Sequence, residues 1–128
     1  MLDYSPNMEG RVDIAALCDT IRRAAIETGV FPLAGVRVRA MRADFVSIAD
    51  GDPSHGYIDV SIRLREGRDP AVKQTAVQHI FDAAHAFLAP AMTRHSIALS
   101  MEMRDIDANL SPKSGTIRDH LKKEPSHD

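Results

Sequence analysis

Two arginines separated by one residue, Arg37 and Arg39, are the side chains of this sequence best suited to bind a charged ligand. Alternate side chains of an extended segment lie on the same face, so both guanidinium groups are expected to point the same way. An arginine is rarely buried without a partner, and its planar group matches the geometry of a carboxylate. The pair therefore predicts either an anion-binding face or ordinary surface arginines that are solvated or paired with Asp or Glu.

A third arginine, Arg68, directly precedes the predicted start of a helix at Asp69 and Pro70. Asp is a favoured N-cap residue, and proline is favoured at the first helical position. The unpaired N–H groups of a helix start attract an anion, so Arg68 is a second candidate for binding a carboxylate. The alternative is a loop arginine that pairs with Asp69 or Glu66.

Four histidines, His55, His79, His85 and His95, are candidates for an acid or a base because imidazole titrates near neutral pH. We expect all four to be ordinary histidines, since no second His or Cys lies at the spacing of a metal site. The sequence also lacks a glycine-rich phosphate loop and a serine nucleophile motif. It therefore predicts neither a metal nor a cofactor.

The composition indicates one domain with an ordinary core, because 44% of the 128 residues are hydrophobic. The net charge of −2 argues against a nucleic-acid surface. The sequence has neither a run of 18 apolar residues nor a basic patch, so we expect no membrane association. Its one cysteine, Cys18, excludes an intrachain disulfide and reads as a small core residue. We expect a cytoplasmic protein.

The hydrophobic pattern predicts an α/β (α+β) fold in the order strand, helix, strand, strand, helix, strand, as two β-α-β units or a split version of them. The second and third strands are expected to pair as a hairpin with a long loop. Residues 1–121 are predicted to form one domain, followed by a polar tail at 122–128. The predicted elements are a strand at 1–5, a helix from Asp13 to Gly29, strands at 36–46 and 57–65, a helix from Pro70 to near Arg94, a strand at 96–103 and a helical turn at 116–121.

The segment 28–39, with the sequence TGVFPLAGVRVR, closely resembles the 5-carboxymethyl-2-hydroxymuconate isomerase family of the tautomerase superfamily. Shorter stretches resemble the same family at corresponding places in the chain. These are 3–7 (DYSPN), 49–51 (ADG), 67–68 (GR) and 99–102 (LSME). The resemblance covers nearly the whole chain, up to about Leu121.

This resemblance implies a tautomerase-like β-α-β repeat, a four-stranded sheet with two helices on one face, and a homotrimer with active sites near subunit boundaries. It implies a cofactor-free proton shift in a 2-hydroxymuconate-type di- or tricarboxylate, during the breakdown of homoprotocatechuate or a similar aromatic acid. Arg37 and Arg68 match the family's carboxylate-binding arginines, and Arg39 is their neighbour. The base in that family is the secondary amine of an N-terminal proline.

The sequence departs from the family at this base. When Asp3 is aligned with the family's glutamate, the proline and the two residues after it fall upstream of Met1. Three strand residues span about 10 Å, so we do not expect the Met1 amine to replace the proline. Either the natural protein begins upstream with Met-Pro, or the chain is a proline-less relative that binds a carboxylate or serves as an assembly subunit.

Overall fold

Two helices cover one face of a four-stranded sheet in the computed structural model, which describes residues 1–122. The first helix, α1, spans Ile14–Glu27, and the side chain of Asp13 caps it by accepting a hydrogen bond from the Ala16 N–H at 3.0 Å. Gly29 follows its end with φ +71°, a conformation that glycine adopts without strain. The predicted start and stop of this helix are confirmed.

The second helix, α2, spans Pro70–Met92 and begins where the sequence predicts. Asp69 accepts a hydrogen bond from the Ala71 N–H at 3.0 Å, and Pro70 occupies the first helical position. Pro90 lies inside the helix, which ends two residues later at Met92, close to the predicted end near Arg94.

The sheet contains four strands in the order β2-β1-β3-β4. β1 pairs in parallel with β2 and antiparallel with β3, and β3 pairs in parallel with β4. The strands are β1 (Leu2–Tyr4), β2 (Ala40–Arg42), β3 (Gly56–Arg65) and β4 (Ile97–Ile106).

The predicted hairpin between segments 36–46 and 57–65 is wrong. β1 lies between β2 and β3, so the two predicted partners do not touch as neighbouring strands. The long loop after β2 allows this arrangement, because it gives the chain enough length to cross over β1. The predicted strand at 36–46 is also shortened to Ala40–Arg42.

The core lies between the helices and the inward face of the sheet. Strand residues of alternate positions are buried against it, as the two-residue period of a strand requires. The opposite face of the sheet is polar along β3 and β4. The main buried cluster consists of Leu2, Tyr4, Met8, Leu17, Ile21, Ala24, Ala25, Ile58, Val60, Ile80, Ala84 and Leu88.

The remaining chain forms short helical turns at Pro6–Gly10, Leu33–Gly35, Ala108–Leu110 and Ile117–His120. The last of these confirms the helical turn predicted within 116–121. Of the predicted tail at 122–128, only Lys122 belongs to the described residues. No helix within residues 1–122 is long and apolar enough to cross a membrane.

Candidate active site

A space that we call the β1 gap lies beside Met1, between residues 36–38 and 61–63. At Met1 the central strand is still paired, because the Met1 carbonyl accepts from the Ser61 N–H at 2.8 Å. On the other side, the Leu2 N–H donates to the Arg39 carbonyl at 2.8 Å. Residues 36–38 and 61–63 line one cavity together with Met1.

Residues 36–39 belong to the strand predicted at 36–46, but β2 begins only at Ala40. Val36 and Val38 are half-buried while Arg37 and Arg39 are exposed, which is the alternation of a strand. This segment nevertheless forms no strand pairing, because β1 pairs only from Ala40 onward. The sequence pattern therefore identified an extended segment, of which only Ala40–Arg42 pair as a strand.

The β1 gap contains a cavity with an apolar inner end and a cationic outer end. Ile21 and Ile80, which are buried in the core, line its inner end. Arg37 and Arg63 line it from the exposed side, together with Met1. Because the two ends differ in polarity, a carboxylate is best accommodated at the outer end.

The Met1 amine lies at this outer end and donates a hydrogen bond to the Ser61 carbonyl at 2.6 Å. Burial lowers the pKa of this amine, and the positive charges of Arg39 and Arg63 lower the pKa further. The surroundings of the β1 gap therefore favour a neutral amine, the form that can accept a proton.

Arg37, Arg39 and Arg63 have no ion-pair partner among residues 1–122. Pairing of Arg37 or Arg39 with an Asp or Glu of the described residues is therefore excluded. The two remaining alternatives are that these arginines bind an anion or that they are solvated. Sequence reasoning missed Arg63. The signal was present, since Arg63 alternates with the apolar Ile62 and Leu64 and so belongs to the polar face of β3.

The carboxylates on the polar face of the sheet have partners of their own. Asp3 accepts from the Tyr57 hydroxyl at 2.9 Å, and Asp59 accepts from the Ser100 hydroxyl. Burial and the hydrogen bond to Asp3 raise the pKa of Tyr57 to about 12, so this phenol stays neutral and serves as a donor. Because Asp3 and Asp59 have these partners, they do not compete with an anionic ligand for the arginines of the β1 gap.

Arg68 lies outside the cavity of the β1 gap. The residue as a whole is half-buried, and its guanidinium group donates to the Arg65 carbonyl at 3.1 Å. The expected alternative partners are engaged elsewhere, because Asp69 caps α2 and Glu66 accepts from the Ala108 N–H at 3.1 Å. Within one chain, the structure does not bring Arg37 and Arg68 together in one cavity.

Two of the four candidate histidines, His55 and His79, lie beside carboxylates. His55 connects Asp50 and Ser96, with its Nε2 2.7 Å from the Asp50 carboxylate and its Nδ1 2.6 Å from the Ser96 hydroxyl. This contact fastens the loop before β3 to the start of β4, at the opposite end of β3 from the β1 gap. His79 lies 3.4 Å from Glu27. Residues 1–122 contain no group of three or more side chains placed to hold a metal ion.

Comparison with known proteins assigns this arrangement to a family. A family model described as 5-carboxymethyl-2-hydroxymuconate isomerase matches residues 1–121. The chain belongs to this family. The 5-carboxymethyl-2-hydroxymuconate Delta-isomerase of Escherichia coli is 26% identical over 117 residues, which cover 91% of this chain and 93% of that protein. The resemblance found in the sequence is thereby confirmed, and the family is one of isomerases.

Solved structures agree with the family assignment. A crystal structure of a 5-carboxymethyl-2-hydroxymuconate delta-isomerase superimposes with a TM-score of 0.88 at 26% identity, covering 98% of this chain and 93% of the other. A 5-carboxymethyl-2-hydroxymuconate isomerase from Deinococcus radiodurans R1 shares the fold, with a TM-score of 0.85 at 22% identity and coverage of 95% and 92%. The expected tautomerase fold, a four-stranded sheet with two helices, is confirmed.

Two residues through which the chain resembles the isomerase family have a structural role. Ser5 is fully buried, accepts from the Tyr57 N–H at 2.9 Å, and donates to Asn7 at 2.7 Å. Asn7 in turn donates to the carbonyls of Pro53 and His55, at 3.3 and 2.8 Å. These bonds hold the loop before β3 and thereby fix the strand that presents Arg63.

Proposed function

We propose that the chain is a cofactor-independent isomerase of a 5-carboxymethyl-2-hydroxymuconate-type acid, acting in the breakdown of an aromatic acid such as homoprotocatechuate. The base is the secondary amine of a proline that lies three residues upstream of Met1. The observation that carries this proposal is the β1 gap, a cavity beside Met1 that Arg37 and Arg63 line.

The strand register supports this position of the proline. Met1 lies opposite Ser61 on one side and beside Arg39 on the other. Continued in the same register, the second residue upstream lies between Arg63 and Arg37, and the third lies next to Leu64. An N-terminal proline would thus lie one residue beyond the position between Arg37 and Arg63.

The proposed chemistry is a transfer of one proton within the substrate. The neutral amine takes the hydroxyl proton of the 2-hydroxydienoate, and the resulting ammonium returns a proton to carbon to give the conjugated ketone. Arg37 binds a carboxylate and stabilises the dienolate charge that develops between the two steps. The burial and the arginine charges that lower the pKa of the Met1 amine would act on the proline amine in the same way.

We also propose a homotrimer in which Arg68 enters the active site of a neighbouring subunit. Large apolar side chains are exposed on the surface, including Phe45, which is 96% exposed, Met41 at 55% and Leu110 at 80%. Such surface favours association, and contact between subunits can bring Arg68 to a β1 gap that it does not reach within its own chain.

Two lengths of the chain test the base. The 128-residue chain is compared with a version carrying Pro-Thr-Val before Met1, and the matched control carries Ala-Thr-Val. Ketonisation is followed by ultraviolet absorbance, and we expect it in the proline version only. Equal rates with proline and with alanine would refute the proline base. An in-frame Met-Pro pair of codons just upstream of Met1 in the gene would support it independently.

Arginine variants of the proline version test substrate binding. Loss of a charge-assisted hydrogen bond removes about 1.5–3 kcal/mol, so Arg37→Ala and Arg68→Ala should each lower kcat/KM by about 10- to 100-fold. The control is Arg22→Ala, because Arg22 lies on the outer surface of α1 and pairs with Asp19. Unchanged kinetics in both test variants would refute their assignment.

The second candidate is a non-catalytic subunit of the same fold that binds a carboxylate ligand. The unpaired arginines of the β1 gap favour it equally, since they require an anion and not a base. It predicts that both lengths bind a dicarboxylate and that neither catalyses ketonisation.

A further inference from the structure

We propose that a second binding site, for a small aromatic monocarboxylate, lies in a cleft between the start of α1 and the end of α2. This α1–α2 cleft has a volume of about 240 Å³ and shares no lining residue with the β1 gap. The inference therefore does not depend on the proposed isomerase. The cleft is lined on one side by residues 11–13 and on the other by Phe87, Pro90, Ala91, Arg94 and His95.

Arg11 supplies a positive charge at a fixed place in the α1–α2 cleft. Its guanidinium group donates to the Ser54 carbonyl at 2.5 Å and to the Ser96 carbonyl at 3.2 Å. Because Ser96 directly follows His95, the second bond holds the group beside the α2 side of the cleft. A carbonyl carries no net charge, and these two bonds use only two of the five N–H donors of an arginine. The charge and the other donors of Arg11 remain available to an anion.

Arg94 supplies a second positive charge, just after the end of α2. Its backbone N–H donates to the Ala91 carbonyl at 3.0 Å, and the His95 N–H donates to the same carbonyl at 2.9 Å. These bonds fix the backbone from which both side chains enter the lining. Arg94 is exposed, and neither it nor Arg11 forms an ion pair with an Asp or Glu of residues 1–122.

The charge balance of the lining favours an anion with one carboxylate. Asp13 is the only acid among the lining residues, and it accepts from the Ala16 N–H at 3.0 Å as the cap of α1. Two guanidinium groups therefore stand against one carboxylate. One further carboxylate balances these charges, whereas a second would be repelled by Asp13 and matched by no arginine.

The rest of the lining is apolar and suits a ring. Val12 and Phe87 are half-buried and pack against the main core, and Ala91 and Pro90 lie on the last turn of α2. Aromatic rings pack favourably against apolar and aromatic side chains. The volume lies below the roughly 300 Å³ at which pockets for drug-sized ligands begin, so the cleft suits a single ring. Benzoate is the simplest acid that combines one ring with one carboxylate.

Benzoate, benzamide and acetate form a matched set of probes, since benzamide lacks the charge and acetate lacks the ring. Each is titrated into the ¹⁵N-labelled 128-residue chain, and Kd is taken from the NMR shifts of the backbone amides of residues 94 and 95. We expect benzoate to bind at least about tenfold more tightly than either analogue. Arg94→Gln should weaken benzoate binding by at least about tenfold. Arg37→Gln, the matched control in the β1 gap, should leave this Kd unchanged.

The same titrations contain the results that would overturn the proposal. It is overturned if benzoate does not shift the amides of residues 94 and 95, or if benzamide or acetate binds there as tightly. Benzoate binding that survives Arg94→Gln, or that is weakened by Arg37→Gln instead, also overturns it. The amide spectrum of each variant shows directly that the fold is retained. Because no turnover is measured, the outcome is independent of whether the chain is an isomerase.

Discussion

Replacing Gly56 with alanine should destabilise the protein through contacts that the structure specifies. A Cβ atom at this position would lie 2.7 Å from Asn7 Oδ1, 2.9 Å from Arg11 Nη1 and 3.1 Å from Met8 Sδ. Ordinary contacts with carbon are about 3.5–4 Å, so all three neighbours must move. Overpacking of this kind costs about 1–3 kcal/mol.

The displaced groups also hold the loop before β3, which adds to the effect. Asn7 donates to the His55 carbonyl at 2.8 Å, and Arg11 donates to the carbonyls of Ser54 and Ser96. Weakening one or two of these bonds contributes about 0.5–1.5 kcal/mol each. We therefore expect Gly56→Ala to lower the free energy of unfolding by about 2–4 kcal/mol.

Urea unfolding followed by circular dichroism measures this change. Gly10→Ala is the matched control, because no heavy atom lies within 4 Å of a Cβ built there. All samples are compared at one protein concentration, since self-association makes apparent stability depend on concentration. The reasoning is refuted if Gly56→Ala and Gly10→Ala unfold at free energies within about 0.5 kcal/mol of each other.

Three further predictions concern Ser5, Tyr57 and the Met1 amine. Ser5→Ala leaves the Tyr57 N–H without its acceptor and should cost about 1–3 kcal/mol of unfolding free energy; an unchanged urea midpoint contradicts this. Ultraviolet titration should show one phenol that ionises near pH 12, and Tyr57→Phe should remove this titration. Because the pKa of Tyr57 in the folded protein exceeds the ordinary 10.0, the neutral phenol stabilises the fold below pH 10, and this stabilisation is lost as the pH rises towards 12. The rate at which the Met1 amine is acetylated, measured against pH, should give a pKa below 8.0 for this amine. Arg39→Gln should raise this pKa, and an unchanged pKa would exclude the effect of the Arg39 charge.

Helices were predicted well because their end signals are local. Asp69 followed by Pro70 defines the start of α2 within two residues of sequence, and Asp13 and Gly29 do the same for α1. Each of these residues acts on the end of its own helix. Their effect therefore does not depend on which part of the chain packs nearby.

Strand pairing was predicted poorly because it is not local. Segments 36–46 and 57–65 are consecutive in sequence, and consecutive strands often pair, yet β1 separates them. β1 offers only three residues, Leu2–Tyr4, yet it takes the position between β2 and β3, with Leu2 and Tyr4 buried in the core. A three-residue segment carries too little periodicity to reveal this role in the sequence.

The candidate site shows the same division. Arg37 and Arg39 were recognised because their alternation and the adjoining motif lie in one stretch of sequence. Arg63 was missed because an arginine between Ile62 and Leu64 is the ordinary pattern of a solvent-facing strand position. Only the pairing of Ser61 with Met1 distinguishes it from Arg65 on the same face.

The β1 gap has an apolar inner end and a cationic outer end, and each end suits a different group. This difference in polarity links the proposed upstream strand residue with the proposed carboxylate substrate. The segments on either side of β1, at 36–38 and 61–63, line one cavity beside Met1. The inner end is lined by the buried Ile21 and Ile80, which a carboxylate ligand would leave poorly matched. An upstream strand residue facing inward would cover these side chains, while its N-terminal amine reached the polar face. The substrate would then meet Arg37 and Arg63 only at the outer end, beside the amine that transfers the proton.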